Sequence, residues 1–289
     1  MADLNQLVAE ELAAPVDPRV EAMAEAIAAR HGTASLAVLF YGSCLRQKQL
    51  DGLMLDFYLI VADYAQAYDK GWLAAANRLI PPNVFYFEHG GLVAKYAVLS
   101  AADFERECGP QARSTSVVAR FAQPSRLVWS AGESEAEMAT RCIRQCAPTL
   151  LAWAAPLAPS ADVLDLWKRA FQLTFAAELR AERSDRSLSI VDSDPERYFA
   201  VGKASMERVE ALGGGGARWW KRMQRKGKLL SVLRLAKASA TFAGGADYIA
   251  WKVNRHAGTK IELKPWQRRH PLLAGISLLP RLLKSGAVR

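Results

Sequence analysis

Nowhere in the 289-residue chain do eighteen residues run apolar and free of charge, and the most hydrophobic segment, Pro271 to Leu283, is broken by Pro280 and Arg281. A membrane-spanning helix is therefore not predicted. The first fifteen residues carry Asp3, Glu10 and Glu11 but no base, so they lack both the charged start and the apolar core of an export signal. Cysteine is scarce: Cys44, Cys108, Cys142 and Cys146 match no zinc spacing, which predicts free, packed thiols in a reducing, cytoplasmic compartment. Cys142 and Cys146, one helical turn apart, are read as packed side chains rather than soft metal ligands. His31, His89, His256 and His270 form no local cluster, so no histidine-based chemistry is predicted.

Acid is what the C-terminal quarter lacks. From Arg218 to Arg289 there are 17 Lys and Arg against only Asp247 and Glu262, a net +15, while the rest of the chain has 21 basic and 27 acidic residues, or −6. Such a block reads as a surface for polyanions, either nucleic acid or an anionic membrane leaflet. Trp219-Trp220 beside Lys221-Arg222 suits a headgroup boundary, as do Arg268 and Arg269 ahead of the apolar strip from Pro271. The strip favours a membrane over nucleic acid, which predicts a peripheral protein on the inner face of the cell membrane.

At 51% hydrophobic, the chain is rich enough to bury a full core. Asp17-Pro18 predicts a helix start, with apolar positions at Val20, Met23 and Ile27 and a stop at Gly32. Ser35-LAVLFYG reads as a buried strand ending in Gly42-Ser43, followed by a helix from Cys44. Leu53-MLDFYLIVA is a second strand interrupted by Asp56, and a helical stretch from Asp63 ends near Pro81-Pro82. Asn83-VFYFEH and Leu92-VAKYAVLS flank Gly90-Gly91 as a hairpin that carries Lys95. A short helix from Ala101 precedes a segment holding Arg120 and a strand at Arg126-LVW. Helices are predicted over Ala136 to Trp153, Ala161 to Glu182 and Pro195 to Leu212, with a boundary at the glycine run from Gly213. The fold class is α+β: a nucleotidyltransferase-like mixed sheet with helices over residues 1–130, a helical domain over 131–212, and a basic amphipathic C-terminal region over 213–289.

A strand, a Gly-Ser turn, a helix and a second strand bearing acid suit phosphate chemistry. Glycine lets backbone approach a phosphate, serine and helix N–H groups can bond its oxygens, and a nearby carboxylate can hold magnesium. Asp56 stands out because a carboxylate in an apolar strand needs a partner or a metal. Asp51 and Glu88 are candidates for a second metal ligand.

Phe40-YGS, Met54-LDF, Val93-AKYAVLS and Val118-ARFAQP, followed by Leu173-TFAAELR and the region from Ser231 to Lys252, resemble in order and spacing the mitochondrial-type CDP-diacylglycerol synthases, the translocator assembly and maintenance family. The resemblance implies transfer of CMP from CTP to phosphatidic acid, with Mg2+ as cofactor. It further implies that Tyr41, Gly42 and Ser43 hold the nucleotide, that Asp56 binds the metal, and that Lys95 and Arg120 contact phosphates from strand segments. Glu178 and Arg180 would face the cleft from the helical domain. The chain departs from the family in lacking its Trp-His and His-Tyr-Ser segments, in Ala122-Gln123-Pro124, and in having Met54 where an Asp-x-Asp pair would place a second acid. Another lipid phosphate or a non-lipid acceptor, or a non-catalytic membrane- or RNA-binding module, remains open on the same residues.

Overall fold

The structure, a computed structural model, describes residues 3–47, 50–158, 160, 162–178 and 190–241. Its first two helices start on aspartates. α1 (Leu4–Ala13) is capped by Asp3, and α2 (Pro18–Ala29) by Asp17, whose carboxylate accepts from the Arg19 N–H at 2.9 Å, with Pro18 in the first turn. β1 (Ser35–Tyr41) leads through Gly42 into α3 (Ser43–Gln47), and β2 (Met54–Val61) follows. The helical stretch expected from Asp63 is two helices, α4 (Tyr64–Ala67) and α5 (Gly71–Leu79). The break falls at Tyr68, which turns extended so that its ring packs edge-on to His31 in the core.

β3 (Asn83–His89) and β4 (Leu92–Ser100) form the expected antiparallel hairpin. α6 (Ala101–Cys108), α7 (Ser116–Phe121) and β5 (Ser125–Ser130) complete this half of the chain. The single helix expected over 136–153 is divided into α8 (Glu133–Ile143) and α9 (Cys146–Ala154). Pro148 explains the division: it has no N–H to give and its ring would strike a preceding helical carbonyl, so it belongs in a first turn, where α9 puts it. α10 (Val163–Phe175), α11 (Pro195–Leu212) and α12 (Ala217–Thr241) follow. α10 ends before Glu178, not beyond it as the pattern suggests.

The five strands form one mixed sheet in the order β3-β4-β2-β1-β5, so the molecule is α+β. β1 is antiparallel to β2 and β5, whereas β2 and β4 run parallel. Because side chains alternate along a strand, the sheet has two apolar faces. Val38, Phe40, Phe57, Leu59, Tyr96 and Val98 pack with α2, and Leu39, Tyr58, Ile60 and Leu99 face the later helices. That second cluster is continuous, running from Leu39 through Trp167 of α10 to Trp220 of α12.

α12 is thus docked along part of its length. Trp220 is 2% exposed and its indole N–H donates to the Trp153 carbonyl at 2.8 Å. Trp219 packs beside both, its ring centroid 5.1 Å from that of Trp153 and 5.1 Å from that of Trp220. Two turns further, Gly227 lies against α10's end so closely that a Cβ there would sit 2.3 Å from the Ala177 carbonyl oxygen. The other face of α12 exposes Arg218, Lys221, Arg222, Arg225, Lys226 and Lys228. No helix among the described residues is long and apolar enough to cross a membrane.

Candidate functional site

Strand register assembles the site. Tyr41 pairs with Asp56 across β1 and β2, and Asp56 pairs with Lys95 across β2 and β4, which places three residues far apart in sequence side by side on the face that meets the later helices. Lys95 Nζ lies 2.9 Å from Asp56 Oδ1, with the lysine 29% and the carboxylate 17% exposed. The acid in the apolar strand therefore already has a counter-charge, which accounts for its place in the strand without a metal.

Gly42 covers the other carboxylate oxygen. Its φ is +98°, and a Cβ at this position would lie 2.8 Å from Asp56 Oδ2. Only glycine tolerates both the backbone and the approach. Ser43 opens α3, which is five residues long, so the helix dipole adds little and the turn itself is what remains for a phosphate. All four cysteines are buried and free, in keeping with the expectation of packed thiols.

Arg120 arrives from a helix, correcting the expectation of a strand segment: α7 carries it. Its guanidinium donates to the Tyr58 hydroxyl at 3.1 Å and stacks over the rings of Tyr41 and Tyr58 at 5.0 and 5.7 Å. Burial opposes its charge, but Tyr41, Tyr58, Glu178 and Asp56 outweigh burial and hold its pKa above the ordinary arginine value. Burial, and then Asp56, Tyr58 and Glu178 against the opposing pull of Arg120, hold the Tyr41 phenol well above its usual range. Both shifts put Glu178 within electrostatic reach of this cluster. Arg197 of α11 fastens the end of α7, donating to the Ala122 carbonyl at 3.1 Å while pairing with Glu11 of α1. Glu107, buried, accepts the N–H groups of Arg113 and Ser114 and so closes the loop leading into α7.

Other expected residues fall elsewhere. Asp51 is surface-exposed and paired with Arg19 at 2.9 Å, away from Asp56. Glu88 stands on the same sheet face as Lys95, two residues along β3 from Tyr86, and accepts the Tyr86 hydroxyl. Trp220 is a core residue rather than a membrane contact, and Trp219 is half-buried against Trp153; Lys221 and Arg222 are exposed as expected. Arg180, Arg268, Arg269 and the strip from Pro271 lie outside the described residues.

Two features were not singled out from sequence. Arg234 of α12 donates to the Pro81 carbonyl at 2.7 Å and to Ser116 Oγ at 3.0 Å, and Lys237 donates to the carbonyls of Ile80 and Pro82. Their i, i+3 spacing puts them on one helical face, but only the tertiary fold shows what that face meets. A cavity of about 20 Å³, lined by Ser116, Arg120, Gln123, Phe171, Thr174 and Phe175 among others, shares Ser116 with the Arg234 contact. It has room for water or one small group rather than a nucleoside.

Among the described residues no group of three or more His, Cys, Asp and Glu could hold a metal ion. Magnesium, however, commonly takes one or two carboxylates and completes its shell with phosphate oxygens and water. Asp56 offers one such carboxylate, which fits an ion arriving on a triphosphate and does not form a closed resident site. No protein-family model matches the chain, and no curated protein matches it in sequence.

Proposed function

We propose that the chain is a magnesium-dependent nucleotidyltransferase acting on a phosphate-bearing acceptor, with CTP and phosphatidic acid as the substrates that its resemblance to CDP-diacylglycerol synthases implies. The observation that carries the reading is the row Tyr41–Asp56–Lys95 lying against the Gly42 turn, with Arg120 stacked beside it. Because no family model matches, the proposal rests on these residues rather than on membership of a family.

In this reading the acceptor's phosphate oxygen attacks the α-phosphorus of the triphosphate, a new P–O bond forms, the bond to the β-phosphate breaks, and pyrophosphate leaves. Asp56 would hold Mg2+, whose chemistry is to neutralise charge on the phosphates. The bare backbone at Gly42 lets the triphosphate approach, Ser43 can bond it, and Lys95 exchanges its carboxylate partner for phosphate. Arg120, held by two phenols, keeps its charge at the same place. The exposed cations of α12 attach the protein to the anionic inner face of the cell membrane, where the lipid resides.

The test is purified protein with phosphatidic-acid vesicles, Mg2+ and each of the four nucleoside triphosphates, with pyrophosphate and lipid product both measured. Formation of a CDP-lipid with CTP is expected. Absence of pyrophosphate release with every triphosphate overturns the proposal. A second reading, a non-catalytic module that binds anions, is favoured by the Asp56–Lys95 pair, since the one acid of the row is already neutralised. Triphosphate binding without turnover would select it.

A further inference from the structure

Arg120 lines one small space together with Ser116, and Ser116 is also the partner of Arg234 from a different helix. Ser116 and Arg120 are four residues apart on α7, hence on the same face one turn apart, and both line the cavity there. Arg234 of α12 meets that face from outside, donating to Ser116 Oγ at 3.0 Å and to the Pro81 carbonyl at 2.7 Å, both neutral acceptors. Among the described residues it makes no ion pair, and its Nη2 makes no hydrogen bond. Burial pushes the Arg234 pKa down; Tyr58, Glu178 and Glu107 pull it back up, and the charge of Arg120 pushes it down again. Lys237, one turn further, is likewise held by carbonyls among the described residues.

Half-buried cations that repel one another, and whose hydrogen bonds among the described residues go to neutral oxygens, gain from an anion that joins them beyond what the carboxylates of Glu178 and Glu107 supply. A guanidinium with a free prong suits phosphate in particular, because its fork matches two phosphate oxygens. We infer that Arg234 and Arg120 form a phosphate subsite beside Ser116, in which α12 supplies a ligand-binding residue to the core. The inference rests on the phosphate chemistry proposed above and adds to it a residue from the basic helix. The bound group is either the phosphate of the acceptor or the terminal phosphates of the nucleotide.

Arg234→Gln and Arg234→Lys separate this from a purely structural clamp. Inorganic pyrophosphate, Mg-CTP and a short-chain phosphatidic acid are each titrated into wild type and variants by calorimetry, with melting temperature recorded in ligand-free protein. At least about tenfold weaker binding of one of these probes is expected in Arg234→Gln, because a charged two-pronged contact is lost. Loss confined to phosphatidic acid assigns the subsite to the acceptor; loss confined to pyrophosphate and CTP assigns it to the nucleotide. Unchanged affinity for all three, or wild type that binds none of them, overturns the inference. Should Arg234→Gln melt below the titration temperature, Arg234→Lys keeps the charge without the fork, and weakening of about threefold or more is then expected, equal affinity being fatal. The outcome is independent of turnover: Arg234-dependent pyrophosphate binding by a protein that releases none in the vesicle assay would keep the subsite and remove the transferase reading.

Discussion

Lys95 and Arg234 are both partly buried cations, one on the sheet and one on a helix packed over it, and they are satisfied in opposite ways. Lys95 faces a carboxylate at 2.9 Å, whereas Arg234 faces a carbonyl and a hydroxyl. The first arrangement is closed without a ligand, so anything that binds there must displace an existing partner. The second makes no ion pair among the described residues, although the charges of Glu178 and Glu107 favour it. If a polyanion enters, the helix-borne cation should respond to it without losing an ion pair, while the sheet-borne one must exchange its partner.

The sharpest way to break this comparison is Asp56→Asn, which keeps the shape but removes the counter-charge of Lys95 and the metal-binding anion. Turnover, read as pyrophosphate release, should fall at least about a hundredfold while circular dichroism stays that of the folded protein. Near-normal turnover would make the pair structural and leave the helix-borne cation as the only functional one of the two.

A smaller effect is expected from Gly42→Ala. The φ of +98° and the 2.8 Å approach to Asp56 Oδ2 both resist a methyl group. The strain should cost about 1–3 kcal/mol, visible as a melting temperature lowered by several degrees. The same variant should lose activity as the carboxylate is pushed from its place. A variant that melts like wild type would show that the turn is looser than the contact implies.

Lys237→Met should have the least effect, and only over one range of pH. Burial, reinforced by the charge of Arg234, pushes the Lys237 amine down to about 7 from its ordinary 10.5. Between those values the unfolded chain binds more protons than the folded one, so this lysine makes stability rise with pH across that window and contributes no slope below about 7. Denaturant melts of Lys237→Met at a series of pH values should lack that part of the rise. An identical slope in the variant would place the amine in water.

Much of the sheet half was legible because its signals are local. An apolar run closed by Gly42-Ser43, a hairpin pivot at Gly90-Gly91 and an aspartate before Pro18 each act on their own few residues, and each element formed where its pattern lay. Arg120 was harder, since Val117 and Val118 are as much at home in a strand as in a short helix. α7 persists because Arg197 holds its end from 75 residues away. The pairing of Asp56 with Lys95 depends on the register of two parallel strands, which no short stretch of sequence records. With Trp219-Trp220 the neighbouring cations suggested an interface, yet Trp220, Met223 and Gly227 recur at helical spacing and mark the buried face. Arg234 lies on the inner side of the same helix, where charge counting along the chain treats it as one more surface cation.

The three indoles of Trp153, Trp219 and Trp220 give the docked helix an optical signature. With centroids 5.1 Å apart and ring planes inclined at 49° and 90°, the excited states of adjacent rings are coupled and chirally arranged. Far-ultraviolet circular dichroism should therefore carry an exciton contribution, and emission from Trp220 should be blue-shifted by its buried surroundings. The Trp153–Trp219 share of the coupling and the burial of Trp220 depend on α12 lying against α9, whereas Trp219 and Trp220 are neighbours on α12 itself. Lifting the helix would weaken the first and redden the second, so a stopped-flow trace on unlabelled protein could time whether the basic helix leaves the core when vesicles or polyphosphates are added.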